Sequence, residues 1–558
     1  FPQCLRCPVK IRPQIPFLSR FFGAASTYVA TMAAAADETQ PPPSASSYKQ
    51  PYFQLDPNTA NNGPVDTDII GQVPEWLEGS LFRNGPGIFT VGETRLRHLF
   101  DGFAVLHRFD LHQGKVTYTS RVLDSESWER SVKANRLVTT QFGTYAHPDP
   151  CKTLFSRVMS YFKPRWEGRT DNTSVNIVEH GDRLYTLTET PVMLSVDPKT
   201  LQIAQKDTLD RVIAVHMSTA HPHFDREGNM YNLGTAFNPP NNYNIIKIAP
   251  AKSKDDDPLS TATLQASLTS RWTWSMGYNH SFGMSRDHYV ILEQPVTMAS
   301  FKFLTCNWRR ASVFENFDKH PGVEENGELV VDFVGYSSLD VIDSLYVDRL
   351  DETGVASVHP IFRRYVLPLS LRTQGSTRLL RTTSKDNLGT RDIVTGGHAE
   401  VDQNLVRFPH SSATAVLRKD GTVFLTPDII TEDGSHMELP RINYDMANGT
   451  RYRYVYGTSL FSHSAQLKKL DLDKKQELAW GEEGYQPGEP VFVSRPGAVE
   501  EDDGVILSPV ISLDSGKPCF LLILDAGTFK ELARAVTPAS MKWALSFHGT
   551  YLPQNKPQ

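Results

Sequence analysis

Short runs of β-branched and aromatic residues, separated by polar turns, recur along most of the chain. Residues 197–200 (Asp-Pro-Lys-Thr), 420–421 (Asp-Gly) and 471–475 each separate two such runs. Asp-Gly pairs between β-prone runs favour hairpins, because glycine tolerates positive φ at little cost. Long helical patterns are almost absent, and no clean repeat of about 40–50 residues is visible. The pattern predicts an all-β protein, either a barrel or a propeller.

One segment, residues 151–166, departs from the β pattern. Its large apolar residues recur at the spacing of one helix face: Leu154, Phe155, Val158, Met159 and Phe162. Basic residues beside such a face are typical of a helix that lies on a membrane surface, although an ordinary helix capping the core would show the same stripe. If the helix lies on a membrane, Cys151 beside it is a candidate for acylation.

Composition and charge exclude several classes of protein. The 558 residues are 39% apolar and 22% charged, with a formal net charge of −6. This balance suits a folded globular protein and gives no support to nucleic-acid binding. No apolar run approaches the roughly 20 residues of a membrane-spanning helix. The five cysteines are odd in number and scattered, which argues against a disulfide framework.

The N-terminal segment, residues 1–47, reads as a disordered or transit-like stretch with a proline-rich linker, followed by a folded domain over residues 48–558. Residues 1–36 contain four basic residues and no acidic one. Such a start resembles a mitochondrial transit peptide, whereas translation beginning at Met32 is the alternative. The first interpretation predicts a mitochondrial protein, and the second a cytoplasmic protein that is peripheral on membranes.

Three histidines stand in unusual sequence settings. His221, His280 and His548 each have an aromatic residue or proline within two positions and a small residue beside them. This suits a histidine that points inward from the end of a strand. Their wide spacing excludes the local ligand clusters of zinc fingers. It agrees with a propeller whose blades each contribute one ligand, while structural or solvated histidines remain the alternative.

Three glutamates are embedded in apolar or turn sequence: Glu189, Glu438 and Glu489. A carboxylate in such a place usually has a partner, because burial of an unpaired charge is costly. A metal-bound imidazole offers its second ring N–H to such a carboxylate. Pairing with arginine, lysine or backbone groups is the commoner alternative on sequence alone.

Longer motifs run in a fixed order from about residue 50 to residue 553. They include residues 81–87 (Leu-Phe-Arg-Asn-Gly-Pro-Gly), 100–102 (Phe-Asp-Gly), 148–152 (Pro-Asp-Pro-Cys-Lys), 219–223 (Thr-Ala-His-Pro-His), 280–283 (His-Ser-Phe-Gly), 453–457 (Arg-Tyr-Val-Tyr-Gly) and 547–549 (Phe-His-Gly). In these motifs and their order the chain resembles the carotenoid cleavage oxygenases, especially the animal branch. So many independent motifs in one order make chance an inadequate explanation.

The resemblance implies a seven-bladed β-propeller with Fe(II) on its axis and a few helices and loops capping one face. The family's iron is held by four histidines, three of them backed by glutamates. The matching positions here are three ligands, His221, His280 and His548, and three backing carboxylates, Glu189, Glu438 and Glu489. The resemblance also implies that O₂ attacks a carotenoid double bond at open positions on the iron. Contact with a membrane would suit so apolar a substrate.

The fourth ligand histidine has no counterpart in this chain. Its strand should lie between residues 293 and 336, where the sequence passes from a segment resembling the family upstream of that strand to one just downstream. An internal deletion around residues 321–325 explains the change. The ligand's place falls near Asp318, and His320, which precedes a proline in loop-like sequence, is a disfavoured substitute. We expect weak iron binding and little activity.

Three functions stay open within the family. The first is oxidative cleavage of a carotenoid, at the eccentric 9′,10′ bond rather than the central 15,15′ bond, because the transit-like start suits a mitochondrial enzyme. The second is a retinoid isomerohydrolase that acts on retinyl esters without O₂ chemistry. The third is a non-catalytic propeller that binds carotenoids or membranes, which the missing ligand suggests.

Overall fold

Strands dominate the computed structural model of this chain. It describes residues 54–146, 170–237, 240–253, 255–271, 275–293, 297–299, 315–316, 323–325, 327–336, 340–350, 360–369, 379–383, 390–394, 403–418, 422–431, 435–460, 465–514 and 516–554. Within these ranges the helices are short: Leu99–Asp101, Glu126–Lys133, Leu209–Arg211, Asp340–Ser344 and Tyr444–Ala447. The prediction of an all-β protein is confirmed.

The first sheet joins the two ends of the described chain. Its five antiparallel strands lie in the order Asn62–Asp66, Lys115–Val122, Phe103–His112, Gly79–Ile88 and His548–Pro553. The last strand of the chain therefore pairs with a strand from near its beginning. Backbone hydrogen bonds, rather than a loop, bring the two ends together.

Five further sheets of four to six strands follow, and their strands are also paired antiparallel. Sheet 2 contains Asn176–His180, Arg183–Leu187, Val192–Val196 and Ile203–Thr208. Sheet 3 contains Met217–Ser218, His223–Phe224, Met230–Ala236, Asn242–Ile248 and Thr263–Thr269. Sheet 4 contains Glu315–Asn316, Val323–Glu325, Glu328–Gly335, Ile361–Pro368 and Asp428–Ile429. Sheet 5 contains Glu438–Arg441, Tyr454–Thr458, Leu467–Asp471 and Gln476–Trp480. Sheet 6 contains Tyr485–Pro487, Val491–Ser494, Gly504–Ser512, Phe520–Asp525, Glu531–Val536 and the early strand Asp68–Gly71.

Five small two-stranded sheets complete the strands of the described residues. They are Thr90–Val91 with Thr94–Arg95, Ser275–Gly277 with Thr297–Ala299, Gly283–Met284 with Tyr289–Val290, Leu379–Thr383 with Thr390–Val394, and Thr414–Leu417 with Val423–Thr426. The pair Gly283–Met284 and Tyr289–Val290 is called the short hairpin below.

The core is divided into apolar clusters that lie between neighbouring sheets. Such clusters join sheets 1 and 2, 2 and 3, 4 and 5, 5 and 6, and 6 and 1. Two more clusters join the short hairpin to sheet 3 on one side and to sheet 4 on the other. The sheets thus follow one another in a ring, which is the arrangement of a β-propeller. Between the two folds that the hairpin pattern left open, the propeller is confirmed.

The predicted membrane-surface stripe falls outside the described residues. The stripe comprises Leu154, Phe155, Val158, Met159 and Phe162, and the acylation candidate Cys151 and the N-terminal segment 1–47 also lie outside the described residues. Within the ranges described, none of the helices is long and apolar enough to cross a bilayer. The surface helix, the acylation site and the domain boundary stay predictions.

Gly549 marks a close approach of two strands in sheet 1. A Cβ atom there would lie 2.5 Å from the carbonyl oxygen of Phe82 and closer still to the Cδ of Arg83. We expect Gly549→Ala to lower the free energy of unfolding by about 1–3 kcal/mol, because the overpacked strand must shift. Urea denaturation measures the change.

Gly63→Ala is the matched control for this substitution. Gly63 lies in another strand of the same sheet, where an added Cβ meets nothing within 4 Å. Equal stabilities of the two variants would contradict the close approach at Gly549.

Candidate metal centre

Three histidines that are far apart in sequence come together in space. The ring centroids of His221 and His280 are 4.3 Å apart, and those of His221 and His548 are 4.8 Å apart. His221 follows a strand of sheet 3, His280 precedes the short hairpin, and His548 begins the last strand of sheet 1. His221 and His548 are buried. Separate parts of the ring therefore each bring one imidazole to the same place, while the role of these histidines as metal ligands stays a prediction.

Two of the three predicted glutamates bond these rings. Nδ1 of His548 donates to Oε1 of Glu489 at 2.8 Å, and Nδ1 of His280 donates to Oε1 of Glu189 at 2.6 Å. An ionised carboxylate can only accept, so Nδ1 carries the proton in each ring. In a neutral imidazole the lone pair is then on Nε2, which is the nitrogen through which a histidine in this tautomer binds a metal.

Glu438, the third predicted glutamate, begins the first strand of sheet 5 and is partly exposed. A different residue of that strand, Arg441, contacts the side chains around His548. Nη1 of Arg441 lies 3.3 Å from Oε1 of Glu489, and Nη2 of Arg441 donates to the carbonyl oxygen of Gly549 at 3.3 Å. The role of Glu438 as a backing carboxylate stays a prediction.

Arg83 and Arg441, to which the sequence analysis gave no role, hold the Glu489 carboxylate. Nη1 of Arg83 lies 2.8 Å from Oε2 of Glu489, and both side chains are 0% exposed. The backbone N–H of Gly549 donates to the same oxygen at 3.0 Å. Burial alone would raise the pKa of Glu489, but the charges of Arg441 and Arg83 and the hydrogen bond from His548 together hold that pKa well below its ordinary value. The carboxylate is therefore ionised and fixed in direction.

Tyr278 holds the other carboxylate in a different way. Its hydroxyl donates to Oε1 of Glu189 and lies 3.0 Å from Nδ1 of His280. Burial, reinforced by the charge of Glu189, raises the pKa of Tyr278 well above its ordinary value, so the phenol stays protonated. The Glu189 side chain is 23% exposed, whereas that of Glu489 is 0% exposed. One carboxylate is thus held by the buried guanidinium group of Arg83 and the partly exposed one of Arg441, and the other by a phenol.

The donor set suits a metal ion that accepts neutral imidazole nitrogens, as iron, copper and zinc do. Across the described ranges, however, no three His, Cys, Asp or Glu side chains stand in the finished geometry of a metal site. Three other properties of the site agree with metal binding. The three side chains converge, they are imidazoles, and two of them are hydrogen-bonded through Nδ1 to carboxylates, as metal-bound histidines commonly are.

Known proteins match this chain over nearly its whole length. The sequence model of the family described as "Retinal pigment epithelial membrane protein" matches residues 56–321 and 313–553. The β,β-carotene 15,15′-dioxygenase of Mus musculus is 36% identical, and the alignment covers 88% of this chain and 89% of the relative. The mitochondrial carotenoid-cleaving dioxygenase of Mustela putorius furo is also 36% identical, covering 88% and 94%.

Solved structures agree on the fold. A mutant of the apocarotenoid oxygenase of Synechocystis superposes with a TM-score of 0.64 at 18% identity, covering 91% of this chain and 100% of that chain. A cobalt-substituted form of the same protein superposes with a TM-score of 0.63 at 18% identity, covering 90% and 98%. At such identities the likeness shows the β-propeller alone.

The fold and the site together define the class of this protein: it is an all-β ring that brings three imidazoles to one point. The long sequence matches then place the chain within that class: it belongs to the carotenoid oxygenase family, and the two curated relatives described above are dioxygenases.

The buried ion pair of Arg83 with Glu489 makes a prediction about stability. We expect Arg83→Met to lower the free energy of unfolding by about 3–5 kcal/mol, because it leaves a buried carboxylate without its nearest cation. Chemical denaturation followed by circular dichroism measures the loss.

Arg211→Met is the control for this substitution. Arg211 pairs with Asp257 on the surface, where the two side chains are 48% and 43% exposed. Its removal should leave the free energy of unfolding close to that of the wild type, because exposed ion pairs contribute little to stability. Equal losses in the two variants would contradict a special role for the buried pair.

Proposed function

We propose that this protein is a carotenoid dioxygenase whose Fe(II) is held by His221, His280 and His548. The observation that carries the proposal is the convergence of the three imidazoles, two of them bonded to carboxylates, in a chain of this family. When bound, the iron supplies the chemistry that activates O₂ against a polyene double bond, so that two carbonyl products form. The names of the curated relatives support a carotenoid as the substrate.

The residues of the chain supply orientation and charge balance. Glu489 and Glu189 accept hydrogen bonds from the Nδ1–H groups of His548 and His280, which keeps each Nε2 directed away from its carboxylate. Arg83 and Arg441 keep Glu489 charged although water is excluded from it. Outer partners of this kind are worth about 10–100-fold in metal affinity.

We infer that the ring has seven blades, with the short hairpin as the inner part of the seventh. Six sheets have four or more strands each, and the short hairpin stands between sheets 3 and 4. Phe282 and Met284 share an apolar cluster with sheet 3, while Val290 packs against a cluster of sheet 4. In the described residues this blade has fewer strands than any of the other six.

We propose that this blade has lost a stretch at residues 321–325, together with the fourth ligand histidine. The family match is broken in the same region, since one part ends at residue 321 and the other begins at residue 313. The alignment with the mouse relative spans 536 positions, whereas 88% of the 558 residues is about 491. About 45 alignment positions therefore have no residue in this chain. In a chain that keeps the fourth histidine, we assign Glu438 to that ring, because Glu189 and Glu489 already bond His280 and His548.

The scissile bond and the location in the cell are separate parts of the proposal. Four relatives named for 15,15′ cleavage are 34–36% identical, and the relative named as mitochondrial, whose name gives no bond, is 36% identical. The acid-poor N-terminal segment supports 9′,10′ cleavage in mitochondria. Peripheral membrane contact through residues 151–166 would give access to an apolar substrate.

A site with three of four ligands should hold iron weakly. After anaerobic loading with Fe(II) and desalting, we expect well under one iron per chain. A chain that carries the missing stretch of the mouse relative at residues 321–325 should bind iron at least about tenfold more tightly. Metal analysis measures both. One tightly held iron in the shorter chain, with turnover equal to that of the restored chain, would contradict the proposed loss.

The products test the reaction itself. Incubation of the restored chain with β-carotene and O₂ should give carbonyl products, which chromatography separates by chain length. Two identical products indicate 15,15′ cleavage, and two different ones indicate 9′,10′ cleavage. His548→Ala should abolish them. Turnover of retinyl esters without O₂ would favour an isomerohydrolase instead, and carotenoid binding without any product a non-catalytic propeller.

A further inference from the structure

Buried polar side chains link the three histidine-bearing segments to one another. The first link starts at the last strand, where His548 is paired with Asn84 and the N–H of Phe547 donates to the carbonyl oxygen of Asn84 at 2.9 Å. Nδ2 of Asn84 in turn donates to the carbonyl oxygens of Thr173 at 2.7 Å and Asn176 at 2.9 Å. This link joins sheet 1 to sheet 2.

The second link continues from Asn176 to sheet 3. Nδ2 of Asn176 donates to the carbonyl oxygen of Ala220 at 2.7 Å, while its Oδ1 accepts from the N–H of Ile177 at 2.8 Å. Ala220 directly precedes His221. The position of the His221 backbone is therefore tied to the first strand of sheet 2.

The third link joins the segment of His221 to the segment of His280. Nε2 of His223 donates to the carbonyl oxygen of Phe282 at 2.7 Å. A carbonyl only accepts, so Nε2 carries the proton, and Nδ1 can accept from the hydroxyl of Tyr444 at 3.2 Å. His223 is two residues beyond His221, and Phe282 is two residues beyond His280.

These links satisfy carbonyl groups that strand pairing does not reach. Sheets 1, 2 and 3 form separate ladders, so backbone groups at their facing inner ends need other donors. Asn84, Asn176 and His223 are all fully buried, where an unsatisfied carbonyl is costly. Each donor therefore fixes the spacing between two neighbouring parts of the ring.

We propose that Asn84, Asn176 and His223 are positioning residues, an inner belt of donors that sets where His548, His221 and His280 meet. The positioning role of the belt rests on the proposed metal site. The belt itself also predicts a coupling that exists without metal, because loss of one link loosens the segments on both sides of it.

Asn176→Asp tests the middle link. Aspartate keeps the shape of the side chain and the oxygen that accepts from Ile177, but an ionised carboxylate cannot donate to Ala220. Hydrogen exchange measured by mass spectrometry on the metal-free chain should show about tenfold faster exchange in peptides covering residues 219–224. Peptides covering residues 280–285 should also exchange faster, because the third link transmits the loosening.

Asn244→Asp is the matched control for exchange. Asn244 is a buried asparagine of sheet 3 whose Nδ2 donates to the carbonyl oxygen of Ala214 at 3.3 Å, away from the belt. Its replacement should leave both groups of peptides within about twofold of wild type. Equal exchange in the two variants, or a uniform increase over the whole chain in Asn176→Asp alone, would overturn the proposal.

A pair of substitutions at His223 gives an independent test if Asn176→Asp does not fold. Glutamine can still donate to Phe282, whereas phenylalanine cannot. We expect His223→Phe to speed exchange of residues 280–285 by about tenfold and His223→Gln to restore slow exchange. Identical exchange in the two variants would overturn the belt.

Titration with Co²⁺, followed by its visible absorption, separates the belt from the metal site. Cobalt should bind the His223→Phe variant about tenfold more weakly than the His223→Gln variant. If wild type itself takes up no cobalt, the proposed metal site fails, while the exchange measurements still decide the belt. If cobalt binds all three chains equally, the belt does not position the ligands and the proposal fails.

Discussion

The carboxylate of Glu489 lies fully buried between the guanidinium group of Arg83, that of Arg441 and the imidazole of His548. A buried charge is tolerated only when its partners arrive with good geometry, so these four side chains must assemble together. Arg83 comes from an early strand of sheet 1 and His548 from the last. Arg441 comes from sheet 5, and Glu489 from between strands of sheet 6. The contacts that close the ring are therefore the same contacts that orient the His548 imidazole.

Much of the fold follows from local sequence, but the arrangement of its sheets does not. Turn residues between β-prone runs predict hairpins, and residues 197–200 and 471–475 do connect antiparallel strands. Local pattern cannot say which hairpins share a sheet, because the pairing of Asn84 with His548 joins residues at opposite ends of the chain. Without an internal repeat, no sequence period marks the blades.

The chemistry of the site was predictable in part, and for a physical reason. His221, His280 and His548 stand out through their sequence settings, and the motifs around them carried the family resemblance. Arg83 lies in another of these motifs and Tyr278 lies two residues before His280, but neither gained a role, because their function exists only through partners distant in the chain. Arg83 and Glu489 are 406 residues apart. A charge within an apolar run shows that a partner is needed, but not which residue provides it.

The chain can keep its fold while losing a ligand because stability and metal binding depend on different contacts. Each apolar cluster lies between neighbouring sheets, so loss of strands from one blade removes contacts on its two sides and leaves the others intact. The Glu489 cluster and the links through Asn84, Asn176 and His223 all lie outside residues 321–325. A deletion there would remove the donor that completes the site, while the three assembled imidazoles stay in place. A propeller of this kind can therefore preserve the frame of a metal centre after the centre itself has become incomplete.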